Sequence, residues 1–234
     1  MAPKAILPLA CAWAVCFVLL LALDVPAAAL VRAADIFEIA FGLLCGSILL
    51  AASTRQAETT PRHVLLGTAL ALFSWTLGQV FWFSYTELTG VTLPYPSVGD
   101  LGYTGTYFFL AGVLRLLLGQ RKAWHPWYSW FSLLALAVPV AVVFAGGGNT
   151  AGILYNFVLA LAAGYAYFLN CALIPLRRYR WYAGGVFLLG IADLVFMLSV
   201  CLYPASHLYL PDLLYSLSLA LLAHGAFRGA DANG

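Results

Sequence analysis

The chain reads as an all-α integral membrane protein that crosses the bilayer eight times, and three observations predict this. Of its 234 residues, 64% are hydrophobic and only 9% are charged. A soluble domain averages about 45–50% apolar and about 25% charged. No water-soluble fold of this length has interior enough for so much apolar surface. The apolar residues also fall into eight runs, near 6–23, 36–52, 64–85, 101–118, 127–144, 153–176, 181–202 and 208–227. Each is close to the ~20 residues that a spanning helix needs. Finally, ten of the eleven Lys and Arg residues fall in the tails and alternate connecting segments or, for Arg115, in the last turn of the run leading into one, and only Arg32 falls on the other side. The net charge of +2 is small, so the meaning of the charges lies in their placement. Backbone groups in hydrocarbon must be satisfied internally, so the runs are helices. A closed barrel would show much weaker, alternating segments. Residues 1–234 form a single transmembrane domain, with no room for a soluble catalytic or nucleic-acid-binding domain.

The first run, 6–23, follows Lys4. Because Pro26-Ala27-Ala28-Ala29 comes soon after, it also has the form of a signal peptide with a small-residue cleavage site. Cleavage would leave seven helices; the expectation is that the run is retained and there are eight. Asp24, Arg32 and Asp35 then belong to an outer loop, and Glu38 lies near the outer end of the second run. That run carries Gly42-x-x-x-Gly46, a close-packing motif of low specificity. Arg55 and Arg62 flank the turn into the third run, which holds Trp75, Gln79 and Trp82. The fourth opens after Pro96-Ser97. Between the fourth and fifth, Arg121 and Lys122 mix with Trp124, Trp127, Tyr128 and Trp130, the composition of a headgroup-level anchor. The sixth run contains Asn156 and Asn170, the seventh Asp193, and the eighth Asp212 and Tyr215. Arg177, Arg178 and Arg180 precede the seventh run and Arg228 follows the eighth. The positive-inside rule places all these basic segments, and both termini, in the cytoplasm.

The third and fourth runs resemble the seventh and eighth. Gln79 within one helix is followed, 21 residues later, by Asp100-x-x-Tyr103 opening the next. Asp193 is followed, 19 residues later, by Asp212-x-x-Tyr215. Matched helices four crossings apart share orientation, so the pattern reads as a parallel 4+4 internal repeat about an axis near the membrane normal.

Asp193 is the most informative single residue. A carboxyl inside a membrane helix is costly and by default marks function: ligand contact, proton relay or ion coupling. The ordinary alternative is an interhelical hydrogen bond that fixes packing, with Gln79, its counterpart in the repeat, as the expected partner. Asp100 and Asp212 each open a helix. Ser97-x-x-Asp100 has capping-box spacing, and an acid in a first turn complements the helix dipole. Capping alone would explain both. The functional alternative has both present Asp-x-x-Tyr to a shared outer cavity that Tyr103, Tyr107, Tyr215, Trp75 and Trp82 could line, with Glu38 facing the same region. Aromatics at that level are also the ordinary interfacial belt.

Several chemistries are discounted. No two of the four histidines are three or four residues apart, and no HExxH occurs, so no metal site and no cofactor is expected. The five cysteines form no C-x-x-C pair and read as small apolar residues. The only lysines, Lys4 and Lys122, lie outside the runs, which removes a retinal Schiff base. No phosphate-binding loop or nucleophile elbow is present.

Residues 94–112 carry Pro96-Ser97-x-x-Asp100-x-x-Tyr103 and then an aromatic-rich helix. The stretch resembles a pattern in the multi-helix N-terminal membrane sensory regions of bacterial diguanylate cyclases, cyclic-di-GMP phosphodiesterases and histidine kinases. Residues 190–222, with Asp193 and Asp212-x-x-Tyr215, are similar to the closing helix pair of those regions. Ser97, Asp100, Tyr103, Asp193, Asp212 and Tyr215 are the matching positions, and Gly99 stands where the pattern has a small residue, often Ala. The resemblance covers runs two to eight. It implies an input module of the bacterial inner membrane that senses an outer or intramembrane cue, a small molecule or lipid, and passes it to a cytoplasmic or membrane protein. Those sensors continue into a catalytic domain, which this chain lacks, so the expectation is either a truncated receptor or a free-standing relative. The competing readings are a small transporter, a structural subunit of a membrane complex, and an intramembrane enzyme acting on lipid, for which no nucleophile is in sight. No nucleic-acid partner is expected.

Overall fold

The computed structural model describes residues 5–91, 96–119, 150–202 and 209–231. Among these are seven α-helices and no strand. They are α1 (Ile6–Ala22), α2 (Ala27–Ser53), α3 (Thr59–Thr89), α4 (Val98–Leu118), α5 (Thr150–Leu173), α6 (Arg180–Leu202) and α7 (Tyr209–Asp231), with a 3₁₀ turn (Arg177–Tyr179) leading into α6. Among the described residues, α2, α3, α4 and the Leu210–Ala230 part of α7 are long and apolar enough to cross a membrane. The apolar helix α1 and the Phe157–Leu173 part of α5 are shorter. The fifth apolar run, 127–144, and the Trp-rich stretch beside it lie outside the described residues.

The distribution of side chains is that of a protein in lipid. Leu43, Leu77, Phe108 and Phe157 point outward, while Glu38, Thr68, Thr76, Gln79, Thr106, Asn170, Ser216 and Ser218 are buried. Outside a bilayer such apolar exposure would be a large aggregating surface. Inside one, polar groups find partners only between helices.

Helix boundaries depart from the apolar runs where helix-forming residues extend beyond hydrophobic ones. The largest difference is in α2, which begins at Ala27 directly after Pro26. The Ala-rich start favours helix, and Arg32 is satisfied by an ion pair with Glu87 at 2.7 Å. Arg32 and Asp35 are therefore helical and not part of a loop. The α1–α2 connection shrinks to residues 23–26, where Asp24 takes a left-handed φ of 52°. α3 likewise runs beyond its apolar stretch and stops at Gly90, whose φ of 66° lets its N–H reach the Thr86 carbonyl at 2.9 Å. This is the usual left-handed helix stop.

Two helix pairs, α3–α4 and α6–α7, are in the most extensive contact, and α2 lies along α3. Small residues permit each approach. A Cβ on Gly102 would meet the backbone of Gly78 and Ser74, and the Ser74 hydroxyl donates to the Gly102 carbonyl at 2.8 Å. In the other pair, a Cβ on Gly185 would fall 2.7 Å from the Leu222 backbone nitrogen, and Ser218 donates to the Gly185 carbonyl at 3.0 Å. Gly42 and Gly46 seat α2 on Thr76 and Phe73 of α3, which gives the Gly42-x-x-x-Gly46 motif its role.

Candidate functional site

Asp193 sits mid-way along α6, and its carboxylate accepts from three phenols. Tyr107 of α4 and Tyr167 of α5 donate to Oδ2, the latter at 2.9 Å, and Tyr215 of α7 donates to Oδ1 at 2.9 Å. The Tyr107 and Tyr167 hydroxyls also lie 2.8 Å apart. One carboxylate thus ties four helices together. Gly190, one turn before Asp193, leaves room for the Tyr167 ring, which a Cβ there would meet at 3.0 Å. The expected partner, Gln79, is not bonded to Asp193. A buried Tyr needs a partner for its hydroxyl, and among the described residues three phenols find it in this acid.

Gln79 instead serves a second acid. Its Nε2 donates to Glu38 Oε2 at 2.5 Å, and its Oε1 accepts from the Tyr103 hydroxyl. Gly78 makes space for that ring, since a Cβ there would lie 2.8 Å from Tyr103 Cε1. Glu38 is 0% exposed, and its Oε1 has no hydrogen-bond partner among the described residues. Because α2 begins at Ala27, Glu38 lies about 16 Å along it at 1.5 Å per residue, where it is buried against Gln79 of α3. The structure thus buries Glu38 within the protein.

Trp75 joins the two networks. Its ring is 5.0 Å from the Tyr103 ring, edge-on, and 4.5 Å from that of Tyr215. Side-chain contacts therefore run from Glu38 through Gln79, Tyr103, Trp75 and Tyr215 to Asp193.

Of the remaining residues singled out in the sequence, Asp100 closes the capping box at the start of α4. Its Oδ2 accepts the Ser97 N–H at 2.5 Å and the Ser97 hydroxyl at 3.0 Å. Asp212 stands in the first turn of α7. Trp82 is half-buried on α3 and enters neither network. Beside the capping box an open groove of about 650 Å³ is lined by Phe81, Tyr85, Leu101 and Tyr155. The Tyr155 hydroxyl donates to the Asp100 carbonyl at 2.9 Å. Tyr167 and Tyr155 were missed by the sequence reading; the available signal was a phenol within an apolar helix, which implies a buried acceptor. Among the described residues no three His, Cys, Asp or Glu side chains gather at metal-ligand spacing.

The two acids differ in their surroundings. Asp193 accepts from three phenols. Glu38 is buried with one oxygen that has no partner among the described residues. Comparison with protein-family models, with curated proteins and with solved structures finds no match to this chain.

Proposed function

We propose that the chain is a non-enzymatic membrane sensor or interaction module of the bacterial inner membrane, with both termini in the cytoplasm. A ligand or partner engages the polar network around Glu38, and α7 relays the change to a cytoplasmic protein. The observation that supports this is the continuity of the network: hydrogen bonds and ring contacts from Glu38 to Asp193 touch α2, α3, α4, α5, α6 and α7. Occupying the open oxygen of Glu38 changes what Gln79 and Tyr103 bond to. Tyr103 bears on Trp75 and Trp75 on Tyr215, which is part of α7. A ligand moves such an assembly only by binding two arrangements with different affinity. The parallel 4+4 repeat belongs to this reading. It is supported by the glycine-seated α3–α4 and α6–α7 pairs, each with a deep polar residue in its first helix and Asp-x-x-Tyr opening its second.

Native mass spectrometry of protein gently extracted without added ligand tests the proposal. A discrete bound small molecule, or a protein in fixed stoichiometry, released by Glu38→Gln, is the expected result. A bare chain, or one carrying only bulk lipid, overturns it. A second reading, a small transporter, gains from the finding of two deep acids. It requires flux in proteoliposomes that Asp193→Asn abolishes, and absence of flux removes it.

A further inference from the structure

Away from both acid networks, a basic and aromatic surface forms where α6 begins and α7 ends. Gly225 and Gly229 let the two helices touch there. A Cβ on Gly225 would collide with the backbone of Tyr182, and one on Gly229 would lie 3.4 Å from the Tyr179 ring. These two contacts bracket Arg180 of α6 and Arg228 of α7, and so set the two arginines at one height. The Trp181 ring meets that of His224 edge-on at 5.6 Å, and the Arg180 guanidinium lies 5.2 Å over the Trp181 ring. His224 and Arg228 are one turn apart and share a face of α7. Arg180, Trp181, His224 and Arg228 therefore stand on the same side of the α6–α7 seam.

Both arginines are exposed, and neither enters an ion pair among the described residues. Arg228 lies in the last turn of α7, where a positive charge complements the helix dipole, so alone it calls for no ligand. Arg180 is different. It is the first residue of α6, directly after Arg177 and Arg178, and no acid occupies that first turn. A positive charge there opposes the dipole. Stacking on Trp181 takes up one face of the Arg180 guanidinium and leaves its N–H edge open, the edge that grips a phosphate through paired hydrogen bonds. The surface also lies at the rim of the apolar spans. The apolar run of α6 begins at Trp181, and the apolar part of α7 ends at Ala230. Phospholipid headgroups occupy that level; aromatic side chains collect there, and basic pockets between helices take anionic lipid.

We propose that Arg180 and Arg228 bind the phosphate of one anionic phospholipid at the end of the α6–α7 seam, with Trp181 holding the Arg180 guanidinium in place. Inorganic phosphate offers the same chemistry, but the position at the rim of the spans favours the lipid. This inference goes beyond the sensor reading and uses none of the residues of the Glu38 network.

The test titrates the full chain, in a neutral detergent, with phosphatidylglycerol and separately with phosphatidylcholine, and counts bound lipids by native mass spectrometry. A basic residue near a membrane surface favours anionic lipid about fivefold, so one phosphatidylglycerol per chain is expected to bind roughly 25-fold more tightly than phosphatidylcholine. Arg180→Gln and Arg228→Gln should each lower that preference about fivefold. Arg180→Lys keeps the charge but loses the stacked plane and its fork of donors, and should lower it too. Arg55→Gln removes an exposed arginine from the turn after α2 and should leave the preference unchanged. A preference that Arg55→Gln reduces as much as Arg180→Gln does, or that Arg180→Lys leaves intact, is general attraction to positive charge and overturns the site. Equal affinity of the wild type for the two lipids overturns it even if the variants fail to fold. Millimolar inorganic phosphate that takes the place of the lipid overturns the lipid as occupant.

Discussion

At the scale of single residues, Asp193 and Glu38 show how the same functional group acquires different roles from its surroundings. The Asp193 carboxylate gathers three hydroxyls from three other helices. Interhelical hydrogen bonds within membranes average about 0.6 kcal/mol each, so removing the shared acceptor costs about 2 kcal/mol. Asp193→Ala is expected to lose that much in reversible unfolding from mixed micelles. Asp193→Asn, which keeps one acceptor oxygen but turns an amide toward the phenols, should lose less. Tyr215→Phe should lose no more than about a third of the alanine cost; equality with Asp193→Ala would mean that the three phenols do not share the acid. The sequence made Asp193 visible, because a charge within an apolar helix is conspicuous on its own. Tyr107 and Tyr215 were legible as aromatics of a shared cavity but not as partners of this acid, and Tyr167 was not legible, since tyrosines are frequent in this chain and their depth depends on how neighbouring helices are set in height. Glu38 was legible as an acid facing the region of Tyr103, but its burial against Gln79 was not, because the helix starts nine residues before its apolar run.

At the scale of elements, glycine decides which helices meet closely. Gly102 faces the α3 backbone so tightly that a methyl group would collide with Gly78 and Ser74, whereas the surroundings of Gly112 on the same helix are open. Gly102→Ala is therefore expected to destabilise by about 1–3 kcal/mol through overpacking. Gly112→Ala should stabilise by up to about 1 kcal/mol, as alanine is the better helix former. Thermal unfolding of the two variants, side by side, checks both signs. A loss of stability in Gly112→Ala would place another surface against that face of α4. The helices themselves were legible as apolar runs, and Ser97-x-x-Asp100 was legible as a cap because a capping box is local in sequence. The pairing of α3 with α4 through Ser74, Gly78 and Gly102 was not read, since a small residue marks a close contact without saying with which helix.

At the scale of the whole molecule, the alternation of basic segments makes a claim about sidedness that labelling can decide. Helix α3 is long and apolar enough to cross the membrane, and a crossing there puts the turns at its two ends on opposite sides whatever the orientation. Cytoplasmic retention of Lys and Arg assigns the turn carrying Arg55 to the inside. In a background with the five native cysteines replaced, Val91→Cys is expected to react with a membrane-impermeant maleimide in intact spheroplasts. Ala57→Cys should react only after permeabilisation. Both positions are exposed, so failure to react is not a matter of burial within the protein. The termini then count the crossings: with eight, cysteines placed at Ala2 and Ala232 are both protected until the cells are opened. Labelling of Ala2→Cys with protection of Ala232→Cys would mean an odd number of spans. Reversed labelling of Val91→Cys and Ala57→Cys would invert this orientation and put the Glu38 end of the network on the cytoplasmic side.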